Sequence, residues 1–262
     1  MCTLIVIFRV VPGLPAIFAA NRDEYFERPA TGPQVLDEAT GVVGGRDLSA
    51  GGTWMGLSPG GFFAGLTNQR QPGGAARGRR SRGEVVLETL KAGARGGIEG
   101  ARGWLEGIDA ADYNPFNLIF GTAETLIAAY GRADLRFAPV PPGVHVLPND
   151  VLDAPGFPKV HRIQAALRDL PADWPGIEAR LAAVLADATP PAVLPDEPDI
   201  ALPDEVRGAL HAVNVRLPAY GTRSSSLAAL VPGGVAHYSF AEGPPGAPFR
   251  DYAALLSRKR AR

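Results

Sequence analysis

The chain has 262 residues, 46% hydrophobic and 20% charged, which argues against long-range disorder and allows one large domain with a buried core. Lysine and arginine number 26 against 27 aspartates and glutamates; that balance argues against a protein that coats nucleic acid or an anionic membrane. A single cysteine rules out an internal disulfide and suits a reducing compartment.

Residues 3–11 are β-branched and apolar and read as a strand; Pro12-Gly13 is a turn, and residues 14–20 read as its hairpin partner. Asn21-Arg22-Asp23-Glu24 follows at the end of that partner. Residues 41–68 are rich in glycine and short apolar runs and read as two or three antiparallel strands. Residues 69–80 form a polar, basic loop. Ser81 then reads as an N-cap with Glu84 as its capping-box partner, opening a helix over 82–94; a second, weaker helix spans 97–107. Strands return at 117–121, 125–130 and 143–147. Pro158 suits the first turn of a helix to about residue 169, and another helix spans 175–187. Residues 188–205 are proline-rich and acidic and read as an irregular loop, a candidate lid or variable insertion. Final strands are expected at 212–215, 222–231 and 235–240, before a short helix and a basic C-terminal tail.

Strands, helices, strands, helices, strands in that order predict an α+β layer arrangement, read here as one domain over residues 1–262. The apolar run near the start ends at Arg9, too short for a signal or membrane-spanning segment, so a soluble cytoplasmic protein is expected. The four histidines show no metal-ligand spacing, and no phosphate-binding glycine motif is present; neither metal nor cofactor is expected.

Cys2 is the most informative residue. It directly follows the initiator methionine, which is removed when the next side chain is small. Removal places a thiol and a free α-amine on one residue. The amine, with a reference pKa of about 8, is a base that can take the thiol proton without a histidine. The apolar strand that follows anchors this terminus against fraying. Asp23, at the same end of the expected hairpin, is placed to hold the α-ammonium. A backbone N–H near Gly65-Leu66-Thr67-Asn68 and the side-chain amide of Asn149 are candidate oxyanion donors, and Arg223 is a candidate to favour thiolate. Taken singly, each of these residues fits a turn or a cap as well as a site.

Together they fit a family. Met1-Cys2-Thr3, Asn21-Arg22-Asp23-Glu24, Gly44-Gly45-Arg46-Asp47, Gly51-Gly52-Thr53-Trp54-Met55-Gly56, Thr67-Asn68, Ser81-Arg82-Gly83, Tyr113-Asn114-Pro115-Phe116-Asn117-Leu118 and Tyr220-Gly221-Thr222-Arg223-Ser224 resemble the NRDE family, the transport-and-Golgi-organisation family. That family in turn looks like the cysteine branch of the N-terminal-nucleophile hydrolases, with the penicillin V acylases and bile salt hydrolases. The resemblance implies a four-layer αββα sandwich of two antiparallel sheets. It implies a nucleophile at Cys2, an amine-holding carboxylate at Asp23 beside Asn21, oxyanion donors at Asn68 and Asn149, and an active-site arginine at Arg223. Ala20 stands where the branch's motif has arginine, and Pro148 stands where serine is commoner.

Two functions follow from the resemblance. The first is a cysteine amidohydrolase acting on a non-peptide C–N bond of a small molecule. The alternative is a non-catalytic binding or trafficking protein of the same fold for a haem- or lipid-related ligand.

Overall fold

The computed structural model describes residues 2–71, 73–197 and 202–257. The first sheet has six antiparallel strands in the order β10 (Gly143–Leu147), β1 (Cys2–Val11), β2 (Leu14–Tyr25), β11 (Tyr220–Val231), β12 (Gly234–Glu242) and β13 (Arg250–Asp251). The second has seven: β3 (Ala30–Asp37), β4 (Val42–Asp47), β5 (Met55–Leu57), β6 (Phe63–Asn68), β7 (Phe116–Gly121), β8 (Leu126–Gly131) and β9 (Leu135–Pro139). Helices α1 (Arg82–Glu106), α2 (Pro158–Ala166) and α3 (Trp174–Leu185) cover them, and α4 (Asp204–His211) precedes β11.

Side-chain alternation along the strands decides the layering. On β1, Leu4, Val6 and Phe8 face the second sheet and meet Val43, Met55, Leu57 and Phe63. Phe18 of β2 stacks on Phe63 with ring centroids 3.6 Å apart, joining the sheets. The alternate residues Ile5, Ile7 and Ile17 face outward, under Val160 and Ile163 of α2 and Ile177 and Leu181 of α3. On the far side, Phe62, Phe116, Leu118 and Phe120 lie under Val85, Val86, Leu90 and Leu105 of α1. The result is the αββα sandwich that the resemblance implied. Each fully buried aliphatic side chain contributes roughly 1.5–3 kcal/mol, so all three apolar layers are stabilising.

Several local details differ from the sequence reading. The segment Asn21-Arg22-Asp23-Glu24 lies within β2, Asn21 and Arg22 paired to β1 and β11 and Asp23 and Glu24 to β11, rather than in a turn beyond it. Ser81 does cap α1, its Oγ accepting from Gly83 N at 3.2 Å, but the capping box does not close: the Glu84 carboxylate turns to Arg80 instead. The two helices expected over 82–107 form one element broken at Gly96 and Gly97, where Gly97 has φ 60°. The β3 strand is hidden in the sequence by Gly32-Pro33 and by register shifts against β4. Helix α4 begins in the last two residues of the stretch read as a loop and runs on to His211, and residues 212–215, expected as a strand, form no ladder. Within the described residues the C-terminal segment forms β13 and a 3₁₀ turn, Ala253–Leu255; the basic tail from residue 258 lies outside them.

Candidate active site

The site forms where β1 starts. Cys2 pairs with Arg22 and Thr3 with Asn21 across the β1–β2 ladder. Alternation then sends Cys2, Ala20 and Arg22 toward the second sheet, and Thr3, Asn21 and Asp23 toward the helices. Cys2 sits in a narrow crevice with Ala20, Trp54, Met55, Gly65 and Leu66. The Arg22 guanidinium lies over the Trp54 ring, 4.4 Å from its centroid, and 3.8 Å from Asp47. Gly45 makes that arrangement possible: a Cβ there would fall 2.3 Å from the Trp54 ring.

Burial pushes the Cys2 thiol up, and the Asp23 carboxylate adds to the rise; the Asp23 backbone N–H donates to the sulfur and, with Arg22, opposes it. A second guanidinium, Arg82 at the start of α1, also feels the thiolate charge. Its placement rests on a close backbone approach: a Cβ on Gly52 would sit 2.3 Å from the carbonyl carbon of Gly83. Thr53 N donates to Gly83 O at 3.1 Å across the same contact. The Gly51-Gly52 and Ser81-Arg82-Gly83 blocks are thus two sides of one joint.

Asp23 is buried, and burial pushes its carboxyl up to about 6, against the pull of the chain's amino terminus, Lys159 and the Thr222 hydroxyl. Thr222 Oγ1 donates to its Oδ1 at 2.6 Å, and the Tyr220 hydroxyl donates to its backbone oxygen at 3.0 Å. Asn21 is committed to structure: its Nδ2 donates to the carbonyls of Leu185 and Val213, both at 2.9 Å, and its Oδ1 accepts from Ser225 Oγ.

Asn68, at the end of β6, and Asn149 are brought together. Asn149 Nδ2 donates to the Asn68 carbonyl at 2.8 Å, and Arg70 N donates to the Asn149 carbonyl at 2.8 Å. The Asn149 Oδ1 is buried without a hydrogen-bond partner. Both asparagines line a cleft of about 720 Å³ that also takes in Arg82, Tyr25 and Tyr220. Its lining also includes Leu202, Val206, Leu210 and Leu217. Such a volume suits a small-molecule ligand. The Pro-rich segment contributes Glu197, whose carboxylate pairs with Arg70 and accepts from His211 Nε2 at 3.0 Å.

Arg223 is placed elsewhere. Its guanidinium donates to the carbonyls of Tyr25, Phe26 and Arg28 at 2.9, 2.7 and 3.0 Å, fastening the turn after β2. The arginines whose charge acts on Cys2 are Arg22 and Arg82. Arg82 stands in one of the family motifs without an expected role, and Lys159, buried near Asp23, gives no sequence signal at all. Among the described residues no group of three or more metal-ligating side chains converges, and no helix is long and apolar enough to cross a membrane.

The family model described as Transport and Golgi organisation 2 matches residues 1–242. A Bos taurus "Transport and Golgi organization protein 2 homolog" is 36% identical over 231 residues, covering 80% of each chain. Among solved structures, a Caenorhabditis elegans N-acylethanolamine-hydrolyzing acid amidase ortholog superposes with a TM-score of 0.46 at 15% identity, over 88% of this chain and 93% of that one. A mutant conjugated bile acid hydrolase from Clostridium perfringens gives 0.45 at 13% identity, over 99% and 98%. With the family match running from the first strand through β12, the chain belongs to the Transport and Golgi organisation 2 family.

Proposed function

We propose that this protein is a cysteine N-terminal-nucleophile amidohydrolase that cleaves a non-peptide C–N amide bond of a small molecule. The observation that carries the reading is the setting of Cys2: the first residue of a buried strand, its sulfur accepting the Asp23 N–H and within reach of the charges of Arg22 and Arg82, the second of which also lines the cleft of the two asparagines. Removal of Met1 frees the α-amine of Cys2, and Asp23 holds it. The amine takes the thiol proton, and the thiolate attacks the amide carbonyl carbon. Asn68 and Asn149 supply the donors for the oxyanion; loss of one such donor typically costs about 3–4 kcal/mol of transition-state stabilisation. The C–N bond then breaks, the α-ammonium gives its proton to the leaving amine, and water hydrolyses the thioester to free acid and thiol. Arg22 and Arg82 favour the thiolate in this reading, the part expected of Arg223 from the sequence.

The test begins with mass spectrometry of the purified protein. Mature protein that keeps Met1 leaves the amine locked in a peptide bond and ends this mechanism. Processed protein is then assayed on a panel of N-acyl small molecules, where Cys2→Ala abolishes turnover.

A second reading, a non-catalytic binding protein for a haem- or lipid-related ligand, is favoured by one observation. Leu202, Val206, Leu210 and Leu217 give one part of the cleft an aliphatic lining fit for an apolar ligand. Ligand binding that persists in Cys2→Ala, with no hydrolysis by the processed protein, selects it.

A further inference from the structure

Lys159 is 1% exposed, and the amide hydrolysis proposed above gives it no task. It is the second residue of α2 and reaches from the helical layer to the end of the first sheet. Its Nζ donates to Thr3 Oγ1 at 3.1 Å and to the Ala212 carbonyl at 3.5 Å. Thr3 is the neighbour of Cys2. Thr3 and Asp23 point to the same face of the sheet, the face that α2 covers.

Both acceptors are neutral oxygens. An ammonium removed from water with only neutral partners carries a desolvation cost of several kcal/mol, so it calls for a buried counter-charge. Asp23 is that counter-charge: its carboxylate is the group that most strongly opposes the burial of Lys159, which lowers the amine to about 8. The other charged groups that act on Lys159 are Arg70, from the segment after β6, and the Cys2 thiolate. On α4, His211 is held neutral largely by burial and by Arg70, with Lys159 adding to the effect.

We propose that Lys159 is a positioning residue: its ammonium, fixed by Thr3 and the Ala212 carbonyl, keeps the buried Asp23 ionised so that the carboxylate can hold the α-amine of Cys2. This rests on the reading of Asp23 given above. Without the cation, the Asp23 carboxyl would carry its proton to higher pH, and a protonated acid is a poor partner for an α-ammonium.

The experiment is a carbon-13 carboxyl NMR titration of the full-length, processed protein with labelled aspartate, the Asp23 signal being assigned by its loss in Asp23→Asn. In Lys159→Met the Asp23 midpoint is expected to rise by about one pH unit or more, a tenfold change in its proton affinity. Lys159→Arg, which keeps the charge, restores the midpoint. An unchanged midpoint in a folded Lys159→Met overturns the proposal. Should Lys159→Met fail to fold, the reciprocal measurement decides: nitrogen-15 NMR of the lysine amine in Asp23→Asn must show Lys159 titrating at lower pH, and an unmoved amine overturns the proposal equally. Neither titration needs a substrate. A protein without hydrolase activity that still shows the displaced midpoints sinks the function and keeps the coupling, whereas an active enzyme without them does the reverse.

Discussion

Cys2 and Arg22 face each other on the first rung of the β1–β2 ladder, and the guanidinium is held over Trp54 rather than free in solvent. A cation fixed beside a buried thiol lowers the cost of thiolate. Arg22→Met is therefore expected to raise the thiol's pKa and slow alkylation of Cys2 by iodoacetamide near neutral pH. If the midpoint rises by about one on the pH scale, the thiolate fraction near neutrality falls about tenfold. The pH–rate profile of alkylation reads this directly; a profile that superposes on that of the unmodified protein removes Arg22 from the site.

Asp23 acts on stability in the opposite sense. Its carboxyl titrates at about 6 in the folded chain, against 3.8 as its ordinary value. Between those two values the folded state binds the extra proton, so folding stability falls as pH rises through that window. Above it, the full penalty remains. Asp23→Asn removes this titration, so the decline in stability between about pH 4 and pH 6 is expected to flatten in the variant, whatever the absolute cost of leaving Lys159 without its counter-charge. Chemical denaturation at several pH values across that window checks this, and a variant that keeps the full wild-type slope contradicts it.

Gly52 tests the joint that carries Arg82. A methyl group there meets backbone on Gly83 at 2.3 Å, and backbone cannot rotate away. Gly52→Ala is expected to cost about 1–3 kcal/mol in chemical denaturation. It should also displace the Cys2 alkylation profile, because the start of α1 moves with Arg82. Gly51→Ala is the local contrast, since Gly51 has open space around it but φ 76°; its cost should come from the backbone alone and leave the thiol untouched.

How much of the fold and the site is legible in the sequence follows from the range of each interaction. The hairpin of β1 and β2 is local, written in apolar residues around Pro12-Gly13, and it brings Cys2 and Asp23 to one end as expected. The layer order follows from the resemblance and is realised by period-two alternation that any reader of β1 can see. Strand β3 escapes because Gly32-Pro33 reads as a turn, and its register shifts break the alternation. Arg223 and Arg22 are two positions in similar local settings; which one lies by the thiol depends on the β2–β11 register, where a shift between Thr222 and Ser224 re-aims the side chains. Lys159 is invisible because its partners, Thr3 and Ala212, are more than fifty residues away in either direction.

Asn149 separates chemistry from architecture. One of its amide N–H groups is engaged by the Asn68 carbonyl at 2.8 Å, while its Oδ1 is buried with no partner. The bond to Asn68 is structural: it ties the segment after β10 to the end of β6. The remaining N–H is the oxyanion donor of the proposed reaction. Asn149→Leu, close in shape but without donors, removes both. If the donor acts only as the carbonyl oxygen becomes an oxyanion, kcat falls by about a hundred- to a thousandfold with KM little changed. Asn149→Asp keeps an acceptor and no donor at neutral pH, so it should lose as much activity. A purely structural asparagine would instead give matched losses of stability and active fraction, with normal kcat in the molecules that remain folded. Steady-state kinetics normalised to Cys2 titrated by alkylation distinguishes the two.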